Sequence, residues 1–329
     1  MWWPIPYEFI ATSRDGAVKP QDFQDFLARL GELTPEQMRV LGVAMSGSRT
    51  DAIAIIEARF AETAACPHCA SRSLTKRGFD RGGLQRWRCR GCGRSFSALT
   101  GTPLSGLHKR EAWLAYAKAM IDHASVRKAA KICGLDKTTS FRWRHRFLEA
   151  PRENKAERLN DIVEVDETFF LESFKGQREL PRPARKRGGK AEKRGLSAEQ
   201  IPVLVARDRR GAMADEVLPD LSDASIEAVL GPRIGTDNIL VSDGAERYRR
   251  IADRRGILHV SLNLSAGERT WGVYHIQNVN SYDSRLKGWM KPFNGVATKY
   301  LPNYLGWRRA LDRESGAPAP ASLLAAAIN

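Results

Sequence analysis

The sequence predicts a multidomain α+β protein, and three observations carry that reading. Basic charge is confined to blocks. Two CxxC pairs stand close together near residue 80. The residue pattern changes from helical spacing to strand alternation at Asp161. A chain of 329 residues suffices for two or three domains. Its apolar fraction of 42% and aromatic fraction of 8% are ordinary for a globular protein and argue against wholesale disorder. No run of 18 apolar residues occurs, which excludes a membrane-spanning helix. The first residues, MWWPIPYEFIATSRD, lack a basic stretch and an uninterrupted apolar one, so no signal peptide is read. A cytoplasmic, nucleoid-associated protein is expected.

The formal net charge is +15, which points to a polyanion such as nucleic acid. Its distribution says more. Residues 1–65 sum to −3, 66–158 to +14, 159–173 to −5, 174–198 to +7 and 199–329 to +2. A charge kept for solubility would be spread out, whereas a segmental one is what a nucleic-acid footprint requires.

Residues 1–63 read as an N-terminal helical segment. Thr34, Pro35 and Gln37 make a capping box with proline at the first helical position, and Met38, Leu41, Val43 and Met45 follow. A second helix from Thr50 or Asp51 carries Ile53, Ile55, Ile56 and Phe60. No chemistry is assigned here.

Residues 64–100 contain Cys66-Pro-His-Cys69 and Cys89-Arg-Gly-Cys92, with 19 residues between the pairs. This spacing suits a four-cysteine Zn²⁺ site, and four thiolates close the shell, so the ion is structural. Redox dithiols or buried thiols are the alternatives. Gly91 and Gly93 ease the second knuckle, and residues 73–79 and 84–88 flank the Gly82-Gly83 turn, giving a zinc ribbon. Arg86 and Arg88, interleaved with Trp87, are candidates for DNA backbone contact or else a solvated basic face. Cys133 stands alone and reads as a core residue.

Residues 101–150 read as a helix-turn-helix. Residues 111–123 form a first helix. Ser125 caps a second, and Cys133-Gly134-Leu135 makes the turn. The third, residues 137–148, carries Lys137, Thr138, Thr139, Arg142, Arg144 and Arg146, a hydroxyl- and arginine-rich set suited to DNA. The same arginines, alternating with Phe141, Trp143 and Phe147, also fit a surface helix packed on a core. Residues 151–160 read as a polar linker, and 316–329 as a flexible tail.

From Asp161 strands and helices alternate, with helices expected at 222–230, 245–255 and 276–289. The first strand carries Asp161, Glu164, Asp166 and Glu167. Carboxylates in an apolar strand are costly unless a cation compensates. Glu164 and Asp166 share one face, while Val163, Val165 and Glu167 share the other. A second apolar strand ends in Asp243-Gly244. Aspartates at strand ends can converge on Mg²⁺, though each alone can be a turn former or cap. Residues 174–198, with Pro181, Pro183 and Gly188-Gly189, form a basic loop between the first two strands. Arg185, Lys186 and Arg187 are its candidate DNA contacts.

These residues resemble the IS1595 family of insertion-sequence transposases with an ISXO2-like catalytic domain. The resemblance rests on the CPHC…CRGCGRSFS ribbon, TGTPL, VDETFF, LPRPARKRGGK, LVSDGA and HIQNVNSYDSRLKGWMKPFNGVATKYLPNYLGW. It implies an RNase H-like α/β catalytic domain over residues 161–315. The implied activity is DDE-type DNA cleavage and strand transfer with two Mg²⁺ or Mn²⁺ ions, and the implied partners are the element's terminal inverted repeats and target DNA. It places the metal ligands at Asp166, Asp243 and Asn280, with a basic residue at Lys287. Asn280 stands where many wider relatives have Glu; an amide oxygen can ligate Mg²⁺ but adds no charge. Asn280 and Lys287 are two helical turns apart, hence on one face. Glu167, Glu268 or Asp283 can supply a further carboxylate. Joining two DNA ends implies a homodimer or higher oligomer. A zinc-ribbon transcription regulator with a non-catalytic C-terminal domain is the alternative; a nuclease or resolvase without strand transfer shares the metal site.

Overall fold

The computed structural model describes residues 20–32, 49–186, 188–189, 191–193, 197–263, 266–313 and 319–328. The helix expected after Thr34 and the candidate contact Arg187 lie outside the described residues. The chain divides at Asp51 into two units. In the first, α1 (Pro20–Arg29) runs into a 3₁₀ turn at Leu30–Glu32. Asp22 in its first turn and Arg29 in its last complement the helix dipole.

The second unit begins at Ala52, within α2 (Arg49–Thr63), and continues into a three-stranded antiparallel sheet of β1 (Leu74–Phe79), β2 (Gln85–Cys89) and β3 (Ser95–Ser97). The β1–β2 turn is tied by Asp80, whose carboxylate accepts from the Gly82 and Leu84 amides at 2.9 and 3.0 Å. The same carboxylate takes a bidentate Arg110 at 2.9 and 2.7 Å, joining the ribbon to the helices that follow. Phe60 of α2 packs on Trp87 and Phe96, ring centroids 5.6 and 5.9 Å away.

Next come α3 (Trp113–Ile121), α4 (Val126–Ile132) and α5 (Lys137–Glu153). Ser125 and Asp136 cap α4 and α5 as their positions in the sequence require, accepting from Lys128 N at 3.3 Å and Thr139 N at 2.8 Å. Gly134 holds the turn at φ +60°, where a side chain would be strained. Trp113, Tyr116, Trp143 and Phe147 are buried and meet mainly edge-on, with Tyr116 and Trp143 5.3 Å apart.

The large sheet comprises β4 (Ile162–Leu171), β5 (Gln200–Asp208), β6 (Met213–Val217), β7 (Ile239–Ser242) and β8 (Leu258–Ser261). Its spatial order is β6-β5-β4-β7-β8. β4–β5 and β5–β6 pair antiparallel; β4–β7 and β7–β8 pair parallel. On one face Val163, Val165, Leu204 and Leu240 pack with Ile226 of α6 (Asp223–Leu230) and with Tyr248 and Ile251 of α7 (Glu246–Arg255). On the other, Val203 and Val205 join the core of α8 (Gln277–Met290) and α9 (Leu301–Arg313) through Val279, Tyr282 and Trp307. The alternation of β4 and β5 therefore puts one pair of helices on each face.

Two expectations are corrected. Residues 151–160 are not a free linker. α5 continues through Pro151 to Glu153, and its terminal carbonyls are not left orphaned: Arg309 Nη2 donates to Pro151 O at 3.0 Å and Arg152 O at 2.8 Å. Beyond it, Ala156 N bonds Met213 O and Leu159 N bonds Arg233 O. Nor are residues 316–329 a flexible tail throughout. Pro320 starts α10 (Pro320–Ala327), and Leu323, Leu324 and Ala327 are buried in the core that holds Trp113 and Tyr116. Their spacing of one and three puts them on one helical face, a pattern hidden in an alanine-rich sequence. α9 was likewise not expected from sequence.

Candidate functional site

β4 and β7 pair in parallel with Ile162 opposite Ile239 and Glu164 opposite Val241. Continued two places, that register sets Asp166 level with Asp243, just past the end of β7. Asp243 turns the chain, its carboxylate accepting from Ala245 N at 3.2 Å, and Gly244 follows at φ +90°. A Cβ on Gly244 would stand 2.8 Å from Ser261 Oγ, so this turn requires glycine. Burial pushes the Asp166 carboxyl up to about 6; the charges of Asp243 and Glu167 add to that, while the Glu167 amide and Lys287 oppose it.

The acids of β4 do different work. Glu164 is fully buried. It accepts from Asn278 N at 2.8 Å, Asn278 Nδ2 at 2.7 Å and Val279 N at 3.1 Å, and pairs with Arg209 at 3.0 Å. It thus caps the start of α8 from outside the helix and sets where that helix lies on the sheet. No sequence signal shows this, because the cap and the helix are more than 100 residues apart. Glu167 is on the opposite face, 3.4 Å from Arg247. Asp161 is exposed and pairs with Arg210 at 3.0 Å.

α8 brings Asn280, Asp283 and Lys287 to one face, at spacings of three and four. Asn280 and Lys287 are exposed; Asp283 is buried. Burial, then the charge of Asp166, pushes the Asp283 carboxyl up to about 7. Asp166 thus feels the charges of Asp243 and Lys287, and Asp283 those of Asp166 and Lys287. Oxygen donors of this kind suit Mg²⁺ or Mn²⁺. Glu268 turns instead to the Asn263 amide at 3.0 Å.

Cys66, Cys69, Cys89 and Cys92 present sulfurs that all lie within 4.8 Å of one another. Cys66 and Cys92 are 3.7 Å apart, Cys69 and Cys89 3.5 Å. A tetrahedral ion with metal–sulfur bonds of ~2.3 Å has edges of about 3.8 Å, so the cluster fits Zn²⁺. The knuckles match: Ala70 N bonds Cys66 O and Gly93 N bonds Cys89 O. The left-handed positions are Ala70 (φ 58°) and Gly93 (φ 72°). Gly91 is instead held by space, its missing Cβ 3.2 Å from Ser71. Backbone amides of Cys92 and Gly91 help draw the Cys89 thiol down to about 6. Cys133 packs against the main core, as expected.

The candidate DNA contacts divide. Arg86, Arg88, Lys137, Thr138, Arg142 and Lys186 are exposed, and Thr139 is half-buried. Three arginines are corrected to structural roles. Arg144 is fully buried, with Nη2 on Ala124 O at 2.8 Å and its guanidinium over Trp307. Arg146, half-buried, donates through Nε and Nη2 to the carbonyls of Pro103 and Ser105. Arg185 bonds Glu172 O at 2.6 Å and pairs with Glu199. Residue type alone could not separate these from Arg142, because Arg also serves as a buried carbonyl clamp. No helix among the described residues is long and apolar enough to cross a membrane.

The mixed α/β sheet and most of its flanking helices lie in the part of the chain that matches a transposase domain. Residues 158–308 match the ISXO2-like transposase domain, which supports the IS1595-family reading that the motifs implied. An uncharacterised protein in transposable element ISH50 of Halobacterium salinarum is 29% identical over 274 residues, covering 80% of this chain and 91% of that one. Two solved structures are also similar. One is a simian T-cell lymphotropic virus intasome in complex with PP2A regulatory subunit B56 gamma (TM-score 0.30, 12% identity, 61% of this chain and 69% of that one). The other is a pre-cleavage Mos1 transpososome (TM-score 0.21, 13% identity, 62% and 79%).

Proposed function

We propose that this insertion-sequence transposase binds the element's terminal inverted repeats and carries out DDE-type cleavage and strand transfer on an RNase H-like domain. The strand order, with its antiparallel second strand, supports that fold assignment. The observation that carries the reading is the parallel β4–β7 pairing, whose register continued two places sets Asp166 beside Asp243, with Asn280 and Lys287 on one face of α8. Asp166, Asp243 and Asn280 would hold divalent ions, and such ions would supply Lewis-acid polarisation of the phosphodiester and a lowered pKa for the attacking hydroxyl. Lys287 meets the phosphate charge as an exposed cation. Glu164 positions α8, and through it Asn280, against β4. In the reaction, water attacks the phosphodiester at the element end, leaving a 3′-OH on the element and a 5′-phosphate on the flanking strand; that 3′-OH then attacks a target phosphodiester in line, forming one P–O bond and releasing the target's own 3′-OH.

The ribbon is held by Zn²⁺ at Cys66, Cys69, Cys89 and Cys92. Arg86 and Arg88 on β2, and Lys137, Thr138, Thr139 and Arg142 at the start of α5, face DNA as a helix-turn-helix reader, with Lys186 adding a backbone contact. Two ends are joined in one homodimer or larger assembly in the cytoplasm, on the nucleoid.

The test is product analysis. The full chain is incubated with labelled end DNA, a supercoiled target and Mg²⁺. Label covalently joined to the target supports strand transfer. Label only in cut fragments makes the protein a nuclease or resolvase, and binding without cleavage makes it a regulator.

A further inference from the structure

We infer that Asp283 is a further metal ligand, supplying the negative charge that Asn280 does not carry. The inference rests on the proposed site of Asp166 and Asp243.

Asp283 lies between Asn280 and Lys287 on one face of α8. It is 7% exposed, and its Oδ1 is buried without a hydrogen-bond partner. Such an oxygen is costly to leave bare, and native structures complete it with a donor, a proton or a cation. The charges that face it are Asp166 from β4, most strongly, then Lys287 from its own helix and Asp215 from β6. Among the described residues no salt bridge joins Lys287 to Asp283.

A second buried aspartate beneath the same helix shows the contrast. Asp215 accepts from Tyr282 Oη at 3.0 Å and pairs with Arg309, so its charge is met inside the protein. Asp283 has no such partner, its Oδ1 is buried and bare, and Asp166 is the charge that acts on it most strongly. A hard divalent ion between the two carboxylates satisfies both.

The rival carboxylates have other employment. Glu167 is on the far face of β4 against Arg247, and exposed Glu268 caps the Asn263 amide. Asn280 supplies a neutral amide oxygen, and Asp283, one turn on, restores the third carboxylate without lengthening the helix.

The test is Mn²⁺ titration of the full, zinc-loaded chain, followed by the electron paramagnetic resonance signal of free Mn²⁺. Asp283→Asn is expected to weaken binding by about tenfold or more. The double variant Asn280→Asp/Asp283→Asn is expected to recover most of that loss. Wild-type Mn²⁺ affinity in Asp283→Asn, alongside loss in Asp166→Asn, overturns the inference. Wild-type affinity in Asp166→Asn as well overturns the two-aspartate site and the inference with it. Should Asp283→Asn fail to fold, anomalous scattering from Mn²⁺-soaked crystals of the unaltered chain decides. An ion touching Asp283 supports the assignment. Ions on Asp166 and Asp243 that leave Asp283 bare contradict it.

Discussion

The guanidinium of Arg144 lies 5.0 Å from the centre of the Trp307 ring, across the seam between α5 and α9. One face of α5, the helix proposed above to read DNA, is therefore packed against α9. Arg144→Ala removes a buried hydrogen bond and a stacked side chain, and is expected to cost about 3 kcal/mol in urea unfolding. Arg142→Ala, one turn-face away and exposed, should leave stability within about 0.5 kcal/mol. Instead it should lower the slope of log affinity against log salt for DNA by about 1. Equal stability of the two variants would contradict the assignment.

The same seam depends on Gly306. A Cβ there would stand 2.5 Å from Arg152 Cα and 2.6 Å from Pro151 O, backbone that has no room to yield. Gly306→Ala is expected to destabilise by about 2 kcal/mol. Gly288 on α8 has nothing within 4 Å, and Gly288→Ala should stabilise by about 1 kcal/mol through helix propensity. Denaturant midpoints of the two variants should move in opposite directions.

The site acids give the protein without divalent ions a pH dependence of definite sign. Asp166 and Asp283 are raised to about 6 and about 7. Between the ordinary carboxylate range, about 4, and those values, the folded chain holds protons that the unfolded chain has released. Their contribution to stability therefore falls as pH rises across that window and stays lost above it. Melting temperature at pH 8 should recover more on adding Mn²⁺ than at pH 5, where protons compete for the same oxygens. Asp166→Asn should flatten the profile.

Zinc removal tests the ribbon. One Zn²⁺ per chain is expected by elemental analysis, and a strong chelator should abolish protection of the β1–β2 amides from hydrogen exchange while the large sheet stays protected. Ala70 occupies a left-handed position that glycine adopts freely. Ala70→Gly should steady the first knuckle by about 1 kcal/mol, read as a higher chelator concentration at half-loss of zinc.

Local chemistry was legible in the sequence wherever the partners were close along the chain. Ser125 and Asp136 cap the helices they precede, and the two CxxC turns bring four sulfurs together. The strand carrying Asp166 was legible because Val163 and Val165 alternate with acids. What depends on distant partners was not. Glu164 looked like a companion of Asp166 but caps a helix beginning at Gln277. Arg144 and Arg146 looked like DNA contacts because the carbonyls that claim them come from Pro103, Ser105 and Ala124. Helix α10 was hidden because three small-to-medium side chains gain their meaning only against Trp113 and Tyr116.

Asp166 and Asp243 are proposed to hold together the ions that drive strand transfer. The direct measurement is joining of pre-cut, 3′-OH element ends to target DNA in Mn²⁺ by Asp166→Asn and Asp243→Asn chains that retain zinc, melting behaviour and DNA binding. Each variant is expected to lose joining by a factor of about a thousand or more, on the order of 4 kcal/mol of barrier. Joining at the wild-type rate by either variant would contradict that role for the two aspartates.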